Sequence, residues 1–186
     1  MQRNITFVTG NAGKMQVVSG ILQKFGIEVV QQPMETPEIQ SLSVEDVACY
    51  SAAYAAKELG RPIIKTDVGY YFNAFNGFPG PFIKYINKTL TPSDLLNLFR
   101  EKQDRGVVIK ECVAYAAPGL KPIAFVSSIN ARIAEKPAGT GSTIDQLMIL
   151  EGFTVTKGAA DPAAVAKFWD TKLQHFYELG EYLKGI

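Results

Sequence analysis

A strand-like run, a turn of small residues and a helix-like run follow one another at the start of the chain, and this order constrains the fold most. Residues 5–8 are β-branched or aromatic, and residues 9–14 read Thr-Gly-Asn-Ala-Gly-Lys. Apolar residues then recur at helical spacing up to Gly26. The pattern predicts a buried strand, a tight turn and a helix, which is the repeating unit of α/β folds.

The later segments continue this alternation and then add a hairpin. Strand signals lie at residues 27–30, 62–66, 107–117 and 123–133. Helix signals lie at residues 47–59, 91–99 and 161–183. Ser43 and Thr91 are the candidate N-caps of the first two of these helices, and Gly60 is the expected stop of the first. Residues 118–122 read Pro-Gly-Leu-Lys-Pro and predict a tight connection between the last two strands. We therefore expect an α/β fold with a mixed sheet flanked by helices, formed by residues 1–186 as a single domain.

Charge and cysteine content exclude several functional classes. Nineteen Lys and Arg against eighteen Asp and Glu give a net charge of +1, so no broad basic surface favours nucleic acid or membranes. Two cysteines and one histidine are too few for a Cys/His zinc site or a disulfide framework. No secretory leader or membrane-length apolar run is visible, so the sequence predicts a cytoplasmic, soluble protein.

The turn at residues 9–14 is a candidate phosphate site. Its glycines let a ligand approach backbone N–H groups at the positive end of the helix dipole. Thr9, Gly10 and Asn11 supply short donors, and Lys14 adds a positive charge in the first helical turn. The spacing matches neither the P-loop nor the Rossmann pattern. The alternative interpretation is an ordinary turn in which Asn11 only caps the helix.

Two acidic residues are candidate ligands for a divalent cation. Glu38 follows an extended, proline-containing stretch, and Asp67 comes where the strand at residues 62–66 runs out. Carboxylate oxygens of this kind suit Mg²⁺ bound together with substrate phosphates. The alternative is that each acid only caps or forms a turn.

Together these segments make the chain resemble a known family. Thr9-Gly10-Asn11 with Lys14, the Pro-Glu-Ile-Gln stretch at 37–40, Asp67, and residues 76–85 occur in the order and spacing of the inosine triphosphate pyrophosphatase family. That resemblance implies hydrolysis of non-standard purine nucleoside triphosphates, such as ITP and XTP, to the monophosphate and pyrophosphate with Mg²⁺. It further implies an elongated fold, of one body or of two lobes with a cleft between them, and a homodimer.

The resemblance also implies a role for individual residues. Thr9, Gly10, Asn11 and Lys14 would hold the triphosphate, and Lys14 would also take part in catalysis. Glu38 and Asp67 would bind the metal, and Asp67 would be the catalytic carboxylate. The base or nucleotide contacts would come from Lys84, Asp145 and Lys172.

The chain departs from the family pattern at several of these positions. Thr66 stands where the family has a second acid before the catalytic Asp, and Ser51 where it has a helical Lys. Residues 141–145 replace a segment whose aromatic ring stacks on the base, and residues 170–172 replace Ser-His-Arg. The phosphate half therefore resembles the family more closely than the base half. Phe168 or Trp169 could supply a substitute ring; the alternative is that both aromatic residues belong to the core.

Two functional hypotheses follow from these matches and departures. The first is a Mg²⁺-dependent nucleoside triphosphate pyrophosphatase with altered base selectivity, which Lys14, Glu38 and Asp67 favour. The second is a nucleotide-binding or regulatory protein of the same fold with weak or no turnover, which Thr66 and Ser51 favour.

Overall fold

The computed structural model describes residues 3–186, and the elements follow the predicted alternation. The strands are β1 (Arg3–Val8), β2 (Ile27–Gln32), β3 (Ile63–Phe72), β4 (Pro79–Gly80), β5 (Gly106–Ala116), β6 (Ile123–Ile133) and β7 (Met148–Leu150). The α-helices are α1 (Ala12–Leu22), α2 (Val44–Leu59), α3 (Ile83–Thr89), α4 (Pro92–Leu98), α5 (Pro162–Asp170) and α6 (Gln174–Gly185). No helix in this described part of the chain is long and apolar enough to span a membrane.

The strands form one mixed sheet, which confirms the predicted fold class. Their order is β2-β1-β3-β5-β6-β7, with β4 pairing to β3. β1 runs parallel to β2 and β3, whereas β4 runs antiparallel to β3 and β7 antiparallel to β6. β5 and β6 are neighbours joined by residues 117–122, as the predicted hairpin requires.

Local capping signals set several helix boundaries. Ser43 caps α2 by accepting a hydrogen bond from the Asp46 amide, and Gly60 ends that helix with a left-handed φ of 63°. Thr91 caps α4 in a reciprocal capping box with Asp94. These three boundaries confirm the predictions made from residue type alone.

Several elements differ from the sequence predictions. β3 continues to Phe72, because residues 70–71 pair with β4, so Asp67 lies inside the strand and not after its end. The sequence predictions also lacked α3, β4 and β7, of which β4 and β7 are only two and three residues long. The C-terminal helical stretch is two helices, α5 and α6, separated by residues 171–173.

The chain divides into two compact units, each built from separated segments. Unit 1 comprises the chain up to Asp67, Glu111–Ser127 and Leu173–Ile186, and unit 2 comprises Val68–Lys110 and Ser128–Lys172. Each unit contains apolar clusters of its own. The assignment of residues 1–186 to a single domain stays a prediction.

Unit 1 has an apolar cluster on each face of its strands β1 and β3. On one face, Phe7 and Ile64 pack with residues of α1 and α6. On the other face, Val8 and Ile63 pack with the alanine-rich side of α2. Successive side chains of a strand alternate between its two faces. The positions of Ile63 and Ile64 therefore determine on which face of β3 the neighbouring side chains lie.

Unit 2 has one apolar cluster around the aromatic pair Phe72 and Phe99. Both side chains are almost fully buried, and their ring centroids lie 5.6 Å apart. Residues of α3, α4, β5 and β6 complete this cluster, with Phe168 and Trp169 of α5 packed against it. The cluster gives the loops of unit 2 a fixed support.

Candidate active site

The turn before α1 is held by its own polar groups. Asn11 Oδ1 accepts a hydrogen bond from the Lys14 amide at 3.0 Å, which makes Asn11 the N-cap of α1. Thr9 Oγ1 accepts from the Asn11 amide at 3.1 Å, and Gln31 Nε2 donates to the Thr9 carbonyl at 3.1 Å. The turn is therefore fixed to both α1 and β2, as the strand-turn-helix prediction requires.

The same turn leaves its backbone open to a ligand. Gly10, Ala12 and Gly13 are exposed, and the last two are the first residues of α1. A Cβ at Gly10 would meet nothing within 4 Å, so the absence of a side chain there is not required by packing. Helix N-termini with accessible amides bind anions well, because N–H groups and the helix dipole point to the same place.

Lys14 connects this turn to β3. Its Nζ lies 3.4 Å from Thr66 Oγ1, which accepts a hydrogen bond from the ammonium. Thr66 directly precedes Asp67 in β3. The lysine charge of the turn therefore lies beside the strand that carries the candidate catalytic acid.

Asp67 and Glu38 come from different elements of unit 1. Asp67 shares the α2-facing side of β3 with Ile63, and its Oδ2 is buried. Glu38 is exposed in the irregular segment between β2 and α2. Ser51 Oγ donates to the Pro37 carbonyl at 3.0 Å, so the segment carrying Glu38 is tied to α2.

Lys65 interacts electrostatically with both Glu38 and Asp67, although its residue type and position did not mark it as a site residue in the sequence. The pKa of Lys65 is lowered, mainly by burial, with a further contribution from the like charge of Lys14. Glu38 and Asp67 oppose that shift by stabilising the ammonium. The structure therefore brings four charged groups together, two acids and two lysines. A lysine directly after two adjacent isoleucines in a predicted strand was the signal that could have identified it.

His175, the lone histidine, is buried in the same unit and is 1% exposed. Ser127 Oγ lies 2.9 Å from its Nδ1 and accepts from its backbone amide at 3.0 Å. Glu111 Oε2 lies 3.9 Å from Nε2, beyond hydrogen-bond distance. Burial and the nearby Lys14 charge lower the pKa of His175 to about 4, so the imidazole is neutral at pH 7.

The candidate base contacts lie in unit 2. Asp145 accepts hydrogen bonds from the amide and hydroxyl of Ser142. It also forms an ion pair with Lys157, whose Nζ lies 2.7 Å from Asp145 Oδ1. Burial alone would raise the pKa of Asp145, but the contacts with Lys157 and Ser142 outweigh it and hold that pKa below its usual value. Asp145 therefore organises its own loop.

The other unit 2 candidates also have contacts inside that unit. Lys172 Nζ lies 3.3 Å from Glu151 Oε2 and 5.3 Å from the ring centre of Phe168. Lys84 is exposed on α3, with Nζ 5.3 Å from the ring centre of Tyr85. Trp169 packs edge-on against Phe168, which itself packs against the apolar cluster.

The donor set suits a hard divalent cation better than a transition metal. Among residues 3–186, no group of three or more His, Cys, Asp or Glu side chains is arranged to hold a metal. Glu38 and Asp67 offer carboxylate oxygens, and a cation held by only one or two carboxylates normally also binds substrate phosphates. These residues therefore fit Mg²⁺ as a shared ligand of protein and nucleotide.

Comparison with known proteins identifies the family. The sequence model of the Ham1 family matches residues 5–167. The chain belongs to the Ham1 family. This membership confirms the resemblance inferred from the sequence, because curated relatives of the chain carry the name dITP/XTP pyrophosphatase.

Several relatives of this Ham1 family chain are similar over most of their length. A dITP/XTP pyrophosphatase of Methanopyrus kandleri is 40% identical over 149 residues, which is 80% of this chain and 79% of that protein. One from Ignicoccus hospitalis is 31% identical over 187 residues, covering 100% of this chain and 99% of that protein.

Solved Ham1 structures share the fold. The HAM1 protein of Coxiella burnetii superposes with a TM-score of 0.81 at 21% identity, covering 99% of this chain and 100% of that one. The Ham1 protein of Staphylococcus aureus gives a TM-score of 0.79 at 20% identity, covering 98% and 99%. The predicted α/β architecture is therefore the architecture of the family.

Proposed function

We propose that this Ham1 family protein hydrolyses non-standard purine nucleoside triphosphates, such as dITP, XTP and ITP, to the nucleoside monophosphate and pyrophosphate. The observation that carries the proposal is the capped turn of α1, whose lysine lies 3.4 Å from the residue preceding Asp67. The turn is thus linked, through two adjacent residues of β3, to a buried carboxylate oxygen of unit 1. The names of the curated relatives supply the substrate class.

In this proposal the turn and Lys14 bind and orient the phosphates. The exposed amides of the turn donate to phosphate oxygens, and Thr9 and Asn11 contribute short polar groups. Lys14 neutralises phosphate charge as a point charge. Such neutralisation and in-line positioning are the main requirements of phosphoryl transfer.

Asp67 is the proposed catalytic carboxylate. It accepts a proton from the water whose oxygen bonds to the α-phosphorus, while the bond from that phosphorus to the α,β-bridging oxygen breaks. Pyrophosphate leaves with the electron pair of that bond. Asp67 and Glu38 would also hold Mg²⁺, which supplies further neutralisation of phosphate charge.

Pyrophosphate release tests the proposed function directly. The assay uses the full chain with Mg²⁺ and a panel of dITP, XTP, ITP, ATP and GTP. Release from a non-standard purine triphosphate is the expected result. Tight nucleotide binding without release from any member of the panel would instead favour the binding-protein hypothesis.

Two further aspects of the proposal come from the family resemblance and the sequence. We expect a homodimer, which light scattering on the purified protein measures. We also expect the protein to work in the cytoplasm with a small-molecule substrate and without a nucleic-acid or membrane partner.

Lys14→Ala should weaken triphosphate binding far more than nucleoside binding. The lost interaction is with phosphate charge, so raising the salt concentration should reproduce part of the effect in the wild-type protein. Calorimetric titration with ITP and with inosine measures both affinities. The matched control is Lys24→Ala, because Lys24 contacts Tyr177 at the other end of the same helical segment. Equal losses for ITP and inosine would assign Lys14 a structural role.

ITP should be preferred over ATP and GTP by less than about 10²-fold in kcat/KM. Ser142 stands where the family has a stacking aromatic, and its hydroxyl donates to Asp145 at 2.8 Å. Lys172 pairs with Glu151. Ser142, Asp145 and Lys172 are therefore engaged within the protein, so dedicated contacts to the 6-oxo group of the base are expected to be weak. Lys84 stays the third candidate for a contact to the base. Competition kinetics measure the ratio, and a preference of about 10³-fold or more would contradict this prediction.

A further inference from the structure

Lys65 is an unusual residue for its position in the sheet. It follows Ile63 and Ile64, which are both fully buried, in a strand that pairs with β1. Strands with both faces covered are normally continuous apolar runs, and lysines are rarely buried unless they are paired. The half-buried Lys65 therefore needs a partner or a function.

The geometry of β3 directs Lys65 to the candidate acids. Side chains two residues apart lie on the same face of a strand, so Lys65 shares a face with Ile63 and Asp67. Ile63 packs against α2 on that face. The Ser51 hydrogen bond to Pro37 fixes the segment that carries Glu38 to the same helix.

The other lysine, Lys14 of α1, contacts the opposite face of β3. Thr66 lies between Lys65 and Asp67, on the opposite face, and accepts from the Lys14 ammonium at 3.4 Å. Lys65 is attracted by Glu38 and Asp67 and repelled by Lys14. The charges that act on Lys65 at this end of β3 thus include two carboxylates and a second ammonium group.

We infer that Lys65 is a further binding residue of the triphosphate site, and that it balances the Glu38 and Asp67 carboxylates until phosphate arrives. This inference rests on the proposed function. Before a triphosphate binds, the Lys65 ammonium partly neutralises the two carboxylates and so weakens their attraction for a free cation. When a triphosphate binds, the same charge offsets phosphate charge beside Lys14.

This role makes an unusual prediction, because removing Lys65 should have opposite effects on two ligands. Lys65→Met nearly keeps the length of the side chain and removes its charge. Mn²⁺ alone should then bind the nucleotide-free protein about tenfold more tightly, since the carboxylates lose their internal cation. Inorganic tripolyphosphate without metal should bind about tenfold more weakly.

Electron paramagnetic resonance measures Mn²⁺ binding, and calorimetry measures tripolyphosphate binding. Lys65→Arg should restore both affinities toward wild type, because it restores the charge. Lys57→Met is the matched control, since Lys57 is exposed on α2, and it should change neither affinity. Parallel losses of both affinities, or no change in either, would overturn the inference.

A measurement on the wild-type protein covers the case in which Lys65→Met fails to fold. Amine acetylation followed by mass spectrometry reports how accessible each lysine is. Tripolyphosphate should protect Lys65 and Lys14 and leave Lys57 unchanged. Protection of Lys14 without protection of Lys65 would overturn the inference.

The two proposals fail in distinguishable ways. Pyrophosphate release with unprotected Lys65 and unchanged ligand affinities in Lys65→Met would reject the role of Lys65 and retain the proposed function. The expected changes in Mn²⁺ and tripolyphosphate binding, without hydrolysis of any nucleoside triphosphate, would retain the anion site and reject the enzymatic function.

Discussion

Asp67→Asn should lower pyrophosphate release from ITP by at least about 10²-fold, the lower end of general acid–base contributions. The amide has nearly the same volume as the carboxylate, so the packing of β3 should be retained. It cannot accept the proton of the attacking water, and it binds a hard cation less well. Initial rates with saturating ITP and Mg²⁺ measure the effect.

Glu28→Gln is the control for this experiment, because Glu28 is an exposed carboxylate on β2 away from the turn. Circular dichroism and thermal unfolding check that both variants keep the fold. Full activity in a folded Asp67→Asn protein would assign proton abstraction to a different group. A similar loss in Glu28→Gln would show that the assay reports general damage.

Acid should destabilise the protein through His175. The pKa of His175 is about 4 in the folded state against an ordinary value of 6.5, because burial disfavours the imidazolium. The unfolded chain therefore binds the proton first as the pH falls. This contribution to the free energy of unfolding is fully present above pH 6.5 and is lost between pH 6.5 and about 4. The loss amounts to about 3 kcal/mol.

Urea unfolding between pH 7.5 and 4 measures this dependence. His175→Gln removes the titrating group and should flatten the pH dependence relative to wild type, whatever its stability at neutral pH. Ser127→Ala is a useful comparison, since it removes the hydroxyl at 2.9 Å from Nδ1 but leaves the imidazole buried. An equally steep loss of stability in His175→Gln would contradict the assignment to His175.

The parts of the fold that sequence predicted correctly depend on local contacts. Asn11, Ser43 and Thr91 each cap the helix that follows them, because an N-cap side chain needs only an amide three residues away. Gly60 ends α2 with a backbone conformation that glycine adopts at little cost. Such signals are complete within a few residues of sequence.

The parts that sequence missed depend on contacts between distant segments. β3 extends past Asp67 because residues 79–80 return to pair with it. Lys65 gains its charged neighbours only when the Glu38 segment and α1 reach the same end of the strand. Likewise, Lys157 reaches Asp145 through the fold of unit 2, which the spacing of the two residues did not reveal.

For the candidate site, the residue types indicated the chemistry but not all of the contacts. Asn11 is both a candidate donor to phosphate and the cap of α1, so the two interpretations of residues 9–14 are compatible. Glu38 and Asp67 both act electrostatically on Lys65, and a cation shared between them stays a prediction. Their roles, and those of Lys84, Asp145 and Lys172, stay predictions.

The candidate site residues are divided between the two units. All candidate phosphate and metal residues belong to unit 1, and the candidate base residues belong to unit 2. The chain passes between units within β3, β5 and β6 and again after Lys172. Under this proposed assignment, we expect insertions or deletions in the loops of unit 2 to alter substrate range while the candidate residues of unit 1 are retained. A single inserted residue between Ile63 and Asp67 would instead turn the acid to the opposite face. The proposed assignment thus predicts that nucleotide choice can vary in this scaffold while the residues proposed for hydrolysis are retained.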